Sequence, residues 1–243
     1  MSKRADLYLV EHGFAASRAE AQAAIRAGKV SAGGAPVLKP SQPIAEGAVV
    51  AFAKAHPYVS RGGLKLIAAL GRFGLSPADL TCLDIGASTG GFTEVLLERG
   101  AKKVCAVDVG HGQLHGKLAA DPRVVSLEGT DIRNLDIAAL PGRVEAIVAD
   151  VSFIGLKLAL APVLAAIRHP AWLVALVKPQ FEVGRDHIGK KGIVRDTYRQ
   201  AEAVAAIAQW LHTEMGWLSL GTLESPILGG DGNREFLIGA RRT

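Results

Sequence analysis

The sequence predicts two parts: an α/β region built on a mostly parallel, doubly wound sheet, and in front of it a small α+β module. Three observations predict this. Apolar runs of strand length, TCLDI, VCAVDV, VEAIVAD and AWLVALV, recur in the second two thirds of the chain, the pattern of parallel strands covered on both faces. A glycine-rich turn, GASTGG, follows the first run and opens a helical stretch, as at the start of a nucleotide-binding βαβ unit. The first sixty residues behave differently, passing from helical spacing to short strands broken by glycine and proline.

Taken in order, residues 4–30 place Leu7, Leu9 and Val10, then Ala21, Ala24 and Ile25, at helical spacing, with Gly13 closing the first run. Two short helices follow from this. Ser17 is the cap of the second, and Glu20, three residues on, completes a capping box. Beyond Gly28 come Val30, Gly33-Gly34, Val37-Leu38, Ile44, Val49-Val50 and Phe52, short strands with glycine and proline turns. The proline-containing stretch from Lys54 to Ser60 reads as a hinge, dividing the chain into domains 1–56 and 57–243.

In the larger part, an apolar strand ends at Asp84 and turns through Gly86, Ala87, Ser88, Thr89, Gly90 and Gly91 into a helix from Phe92 to Arg99. Glycine permits the tight turn and a close ligand, and the helix amino terminus favours a carboxylate or phosphate. The spacing is not GxGxxG, and no P-loop lysine follows, so dinucleotide and nucleoside-triphosphate readings weaken. Asp84 beside the turn and Asp108 at the end of the next strand suit ribose hydroxyls better than phosphate. A third strand, Arg123 to Leu127, leads to Asp131, which is either a further ligand contact or a surface turn. The fourth ends at Asp150 and the fifth runs into Lys178, placing both charges at the carboxyl edge where open α/β sheets bind ligands.

Composition sets the outer bounds. At 243 residues, 49% hydrophobic and 21% charged, the chain has ordinary globular usage. A net charge of +5 and a pI near 9.3 make a polyanion a reasonable partner without naming one. Cys82 and Cys105 lie in apolar runs, so neither a disulfide framework nor a zinc site is expected, and a cytoplasmic location fits. His111, His115 and His187 carry no metal-ligand pattern, and no metal is expected. The amino terminus lacks the form of a secretory signal. Leu158 to Val177 is of spanning length, but Arg168 and His169 at its middle and Pro162 and Pro170 within it make it a helix, a turn and a buried strand.

The pattern Asp6-Leu7, Gly13, Ser17-Arg18, Ala21, Ile25, Gly28-Lys29-Val30 and Gly34 resembles the RNA-binding domain first described in the fourth small-subunit ribosomal protein. That resemblance implies that Arg4, Arg18, Arg26 and Lys29 face RNA phosphates, against the alternative of a solvated helix face. The strings VSRGGLKL, DIGASTGGFTEVLLERGA, DVGHGQL, ADVSFIGL, LVKPQFEVGR, GIVRD and SPILGGDGNREF resemble the TlyA family of 2'-O-methyltransferases, called hemolysins in older naming. The likeness covers nearly the whole chain. It implies a Rossmann-like methyltransferase with a mostly parallel seven-stranded sheet of the FtsJ-like kind, and S-adenosylmethionine as cofactor over the Asp84–Phe92 turn, Asp108 and Asp131. It also implies a catalytic tetrad of Lys65, Asp150, Lys178 and Glu235, and ribosomal RNA or a ribosomal subunit as partner.

The chain stops soon after its last strand, as in the family's shorter form, which is associated with a cytidine 2'-hydroxyl of 23S rather than 16S ribosomal RNA. The tetrad would place Lys178 at the reacting hydroxyl, oriented by Asp150 and Glu235 with Lys65 completing the network. Phe153 and Phe181 are candidates to stack on a flipped base, but beside apolar strands core packing is the expectation for both. The rivals are a membrane-active cytolysin, a noncatalytic ribosome-binding factor and a small-molecule methyltransferase. The interrupted apolar run, the intact tetrad and the RNA-binding module argue against them in turn.

Overall fold

The computed structural model describes residues 2–15, 17–189 and 192–243, and the chain divides into two compact units, Met1–Pro57 and Tyr58–Thr243. In the first, strand β1 (Ser2–Arg4) leads into helices α1 (Ala5–Glu11) and α2 (Arg18–Arg26), followed by β2 (Val30–Ala32), β3 (Ala35–Pro36), β4 (Pro43–Ala45) and β5 (Val50–Phe52). The spacing that predicted two helices buries Leu9, Ala21, Ala24 and Ile25 against Val30, Val37 and Ile44. Ser17, in extended conformation, caps α2 by accepting from Glu20 N at 3.2 Å. The Glu20 carboxylate pairs with Lys54 at 3.0 Å. One residue departs from the sequence reading: Arg4, at the head of the stretch read as helical, ends strand β1, which pairs antiparallel with β4.

The second unit begins with α3 (Gly62–Phe73) and continues as β6 (Thr81–Ile85), α4 (Gly91–Glu98), β7 (Lys103–Asp108), α5 (Gly116–Ala119), β8 (Val124–Glu128), β9 (Val144–Ala149) and α6 (Leu156–Ala166). Then come β10 (Ala171–Val177), α7 (Pro179–Glu182), α8 (Thr197–Thr213), β11 (Leu218–Glu224) and β12 (Phe236–Arg242). The sheet order is β11-β12-β10-β9-β6-β7-β8. Pairing is parallel from β8 to β10, and β12 alone runs antiparallel, between β10 and β11.

Side chains alternate across each central strand, which explains the continuous apolar runs. Cys82, Val104, Val148 and Val174 pack under α3 and α4. Leu83, Cys105, Ile147 and Leu173 pack against α6 and α8. The stretch 158–177 divides into a helix and a buried strand as expected, although Pro162 lies inside α6 rather than ending it. Among the described residues no helix is long and apolar enough to cross a membrane.

Candidate active site

The chain order reverses direction between β6 and β9, so the crevice of the sheet opens beyond their carboxyl ends. Gly86, with φ at +79°, ends β6 there, and a Cβ on it would stand 2.6 Å from the Asp150 carbonyl oxygen. No larger residue lets the two strands end so close together. Two cavities open along this edge. One, of about 880 Å³, runs past Gly86, Ser88, Asp108, Gln113, Asp131 and Phe153. The other, of about 290 Å³, is walled by Ser60, Lys65, Thr89, Phe92, Lys178 and Leu228. Gly86, Ser88, Asp150 and Ser152 border both.

In the larger cavity Asp108 accepts from Ser88 N at 2.8 Å through one oxygen and from Gly110 N at 2.7 Å through the other. Each carboxylate oxygen keeps a lone pair, so Asp108 still offers acceptors to a ribose. Asp131 caps the short turn after β8 and is gripped by Arg133 at 2.5 Å, a hydrogen bond that holds its carboxyl down to about 2. Glu128, which sequence reasoning passed over, accepts from the backbone N–H groups of Gly112, Gln113 and Leu114, folding that loop onto the cavity's rim.

The sequence-predicted turn residues divide between the cavities. Gly86 and Ser88 face both, while Ala87, Thr89, Gly91 and Phe92 line the smaller. Gly90 lies off both walls; at φ +94° it makes room for Leu114 and Leu118. Asp84 corrects the expectation of direct ligand contact. It is fully buried, points to Thr93, whose hydroxyl donates to it at 2.6 Å, and leaves Oδ1 without a hydrogen-bond partner. Burial pushes its carboxyl up to about 7, against the Thr93 hydroxyl and with help from the Asp150 charge.

The four charged residues drawn from distant segments come together. Lys178 follows β10 directly and Asp150 follows β9. Glu235 precedes β12, and because that strand is antiparallel, with Phe236 opposite Val177, its start falls at the same edge. Lys65 enters from the first turn of α3. Lys178 Nζ lies 2.6 Å from Asp150 Oδ1 and donates to Ser152 Oγ at 2.7 Å. Its approach to Asp150 is an ion pair without aligned hydrogen-bond geometry. Lys65 Nζ donates to Glu235 Oε2 at 2.6 Å and stands 3.9 Å from Asp150 Oδ2. Lys65, Lys178 and Glu235 are buried, and two cations offset two carboxylates, as burial of charge requires. Ser152, which no sequence argument singled out, completes the set from two positions beyond Asp150.

Phe153 overturns the expectation of core packing. It is 93% exposed, with φ at +64°, and its ring lies 5.5 Å from that of Phe181. In the first unit, Arg4, Arg18, Arg26 and Lys29 are all exposed. The fully buried Asp6 fixes two of them, Arg4 at 3.1 Å and Arg18 at 3.0 Å, and accepts from Gln22 at 2.9 Å. The Arg4 guanidinium above all, with Gln22 and Arg18, holds the Asp6 carboxyl well below the usual range.

An open sheet wound in this order, with its ligand cavity over a glycine turn and a buried lysine beside it, is that of a Rossmann-like methyltransferase. Residues 58–242 match the FtsJ-like methyltransferase family and residues 3–50 the S4 domain. The chain is 45% identical to the 16S/23S rRNA (cytidine-2'-O)-methyltransferase TlyA of Mycobacterium tuberculosis, over 98% of this chain and 89% of that protein. It is 38% identical to the 23S rRNA (cytidine-2'-O)-methyltransferase TlyA of Campylobacter jejuni, over 74% of this chain and 69% of that one. A solved hemolysin-named protein from Streptococcus thermophilus superposes with a TM-score of 0.78 at 40% identity, covering 100% of this chain and 89% of its own. The chain belongs to the FtsJ-like methyltransferase family, among the TlyA proteins.

Proposed function

We propose that the chain transfers a methyl group from S-adenosylmethionine to the 2'-hydroxyl of a cytidine in ribosomal RNA. The observation that carries this reading is the setting of Lys178. An ammonium has three N–H donors; Ser152 accepts from one and Asp150 holds the charge as an ion pair, so donors are left for an oxygen in the cavity. A ribose hydroxyl is a weak nucleophile, and a fixed cation stabilises the charge it develops as its proton leaves. Asp150 and Ser152 aim Lys178, while Lys65 and Glu235 hold Asp150 from the other side.

S-adenosylmethionine fits the larger cavity. The space is within the usual range for ligand pockets, Gly86 lets a ligand lie against the backbone, and Asp108 and Asp131 supply carboxylates for ribose and adenine. When bound, it supplies an electrophilic methyl on a sulfonium. The protein's own work is to hold the hydroxyl in line and exclude water. Phe153, exposed at the rim, offers a stacking face to an extruded base.

The 1–56 domain would bind the surrounding RNA through Arg4, Arg18, Arg26 and Lys29, with Asp6 setting the first two in place before RNA arrives. The 57–243 domain would carry the chemistry. The 23S molecule is favoured because it is named for both relatives above, and the reaction belongs in the cytoplasm, where ribosomes are. Transfer of labelled methyl to unmodified 23S and 16S RNA or subunits tests the reading. We expect label on 23S with the wild type and none with Lys178→Ala. Cofactor binding without transfer to either RNA would overturn it in favour of a noncatalytic ribosome-binding factor.

A further inference from the structure

A third cavity, of about 360 Å³, also borders Ser152 and Lys178, and its other walls include Phe153, Gln180, Phe181 and Asp231. A nucleotide whose ribose oxygen reaches Lys178 therefore has this space beside it for the base. The cavity has an aromatic side in Phe153 and Phe181, whose rings are tilted by 51°, an arrangement that offers a face for stacking.

The lining is also rich in hydrogen-bond acceptors. Glu235, part of it, has one oxygen committed to Lys65. Asp231 is exposed and has no ion-pair partner among the described residues. Gln180 Oε1 is sealed from solvent with no hydrogen-bond partner at all. An amide oxygen left in that state costs stability and calls for an explanation. Gln180 itself lines the cavity, and rotation about its last side-chain bond, which is broad for an amide, turns that oxygen into the space where a ligand's donor meets it.

We infer that Gln180, seconded by Asp231, reads the Watson–Crick edge of the target base and selects cytosine over uracil. This rests on the reading of the chain as a cytidine 2'-O-methyltransferase. Methyl transfer to a ribose oxygen is chemically indifferent to the base, so selectivity has to come from contacts away from the reacting atoms. Cytosine presents an amino donor beside the N3 acceptor, which the carbonyl and amino groups of one carboxamide match side by side. Uracil presents an acceptor, O4, where cytosine has its amino group. The amide by itself can turn over to serve either base. The carboxylates beside it cannot donate, so the cavity as a whole disfavours O4.

The test uses the full-length protein and two RNA transcripts that differ only in carrying C or U at the nucleotide the wild type methylates. Rates of labelled methyl transfer give kcat/KM for each. We expect the wild type to favour C by about tenfold or more. Gln180→Leu, similar in size but apolar, should slow transfer to C and bring the C:U ratio close to one. Cofactor affinity by equilibrium dialysis should stay at the wild-type value, and the melting temperature should be equal or higher, because the variant removes an unpaired buried oxygen. Asp231→Lys, at an exposed position where folding is not at risk, should also lower the ratio by placing a donor toward O4, and it decides the matter should Gln180→Leu fail to fold. A wild type that does not distinguish C from U, or a ratio unchanged in both variants, overturns the inference and leaves the methyltransferase reading standing. Absence of transfer to any RNA by the wild type overturns both.

Discussion

Replacing Lys65 by Met isolates one link of the buried charge cluster. Lys65 Nζ donates to Glu235 Oε2 at 2.6 Å, and Glu235 is 3% exposed. Among the described residues, Lys65 is the ion-pair partner Glu235 has, whereas Asp150 keeps Lys178 at 2.6 Å. The variant therefore strands one buried carboxylate and leaves the other paired. Removing one partner of a buried pair costs about 3–5 kcal/mol, which for a unit of this size lowers the melting temperature by about 6–20 °C. Removing both partners is a different matter, because an apolar pair of similar volume is often neutral or stabilising. Lys65→Met/Glu235→Leu should accordingly melt well above Lys65→Met while staying inactive, since Asp150 loses its second cation in both. Chemical denaturation of the four proteins of the cycle measures the coupling. A Lys65→Met protein that melts within about 1 °C of the wild type, or a double variant no more stable than the single, would refute the claim that this pair is buried and mutually dependent.

Three further outcomes follow from particular residues. The Asp84 carboxyl, raised to about 7 mainly by burial, holds in the folded state a proton that the unfolded chain releases near pH 4. Stability is thus fully present below pH 4 and is lost as pH rises through about 7; Asp84→Asn should gain on the wild type from pH 5 to pH 8, by up to about 3 kcal/mol, and melting curves showing a gap independent of pH would contradict this. Gly86→Ala puts a Cβ 2.6 Å from the Asp150 carbonyl oxygen at a left-handed φ, so calorimetric titration with S-adenosylmethionine should show binding weakened severalfold or lost, and wild-type affinity would disprove the close approach. Phe153→Ala removes a ring that is 93% exposed and should leave the melting temperature within about 2 °C while cutting methyl transfer about 5- to 150-fold; a large drop in melting temperature with unchanged transfer would return Phe153 to a packing role.

What the sequence made legible was what burial on both faces writes into it. Strands β6, β7, β9 and β10 read as apolar runs because both sides are covered, and their order with intervening helices was enough for the sheet's class. The edge strand β11 was not legible, since most of its residues are exposed and no run marks it. Helix α3 was hidden by its own start. Gly62 and Gly63 argue against helix, yet a Cβ on Gly63 would stand 2.6 Å from the Tyr58 ring, and packing overrides propensity there. The tetrad became visible through family strings rather than spacing, because its members lie as far apart as residues 65 and 235. Two local features defeated composition altogether. Asp84 looked like a ligand group and is buried under Thr93; Phe153 looked like core and stands in solvent.

Those two misreadings belong to a wider pattern that bears on where the function lies. A chain that folds reliably satisfies its buried polar groups and keeps non-glycine residues out of left-handed conformations. Departures from both rules concentrate at one edge of this sheet. Of the five buried side-chain atoms without a hydrogen-bond partner among the described residues, Asp84 Oδ1 and Gln180 Oε1 sit at or just beneath the carboxyl ends of β6 and β10, and Asp150 Oδ1, at the end of β9, meets Lys178 only as an ion pair. Of the three non-glycine residues at positive φ among the described residues, Ser88 and Phe153 lie in the turns that leave β6 and β9. Strain and unmet polarity kept at a single edge, in an otherwise well-packed unit, are what a site awaiting cofactor and substrate requires. The rest of the fold meets the cost of holding that edge in readiness.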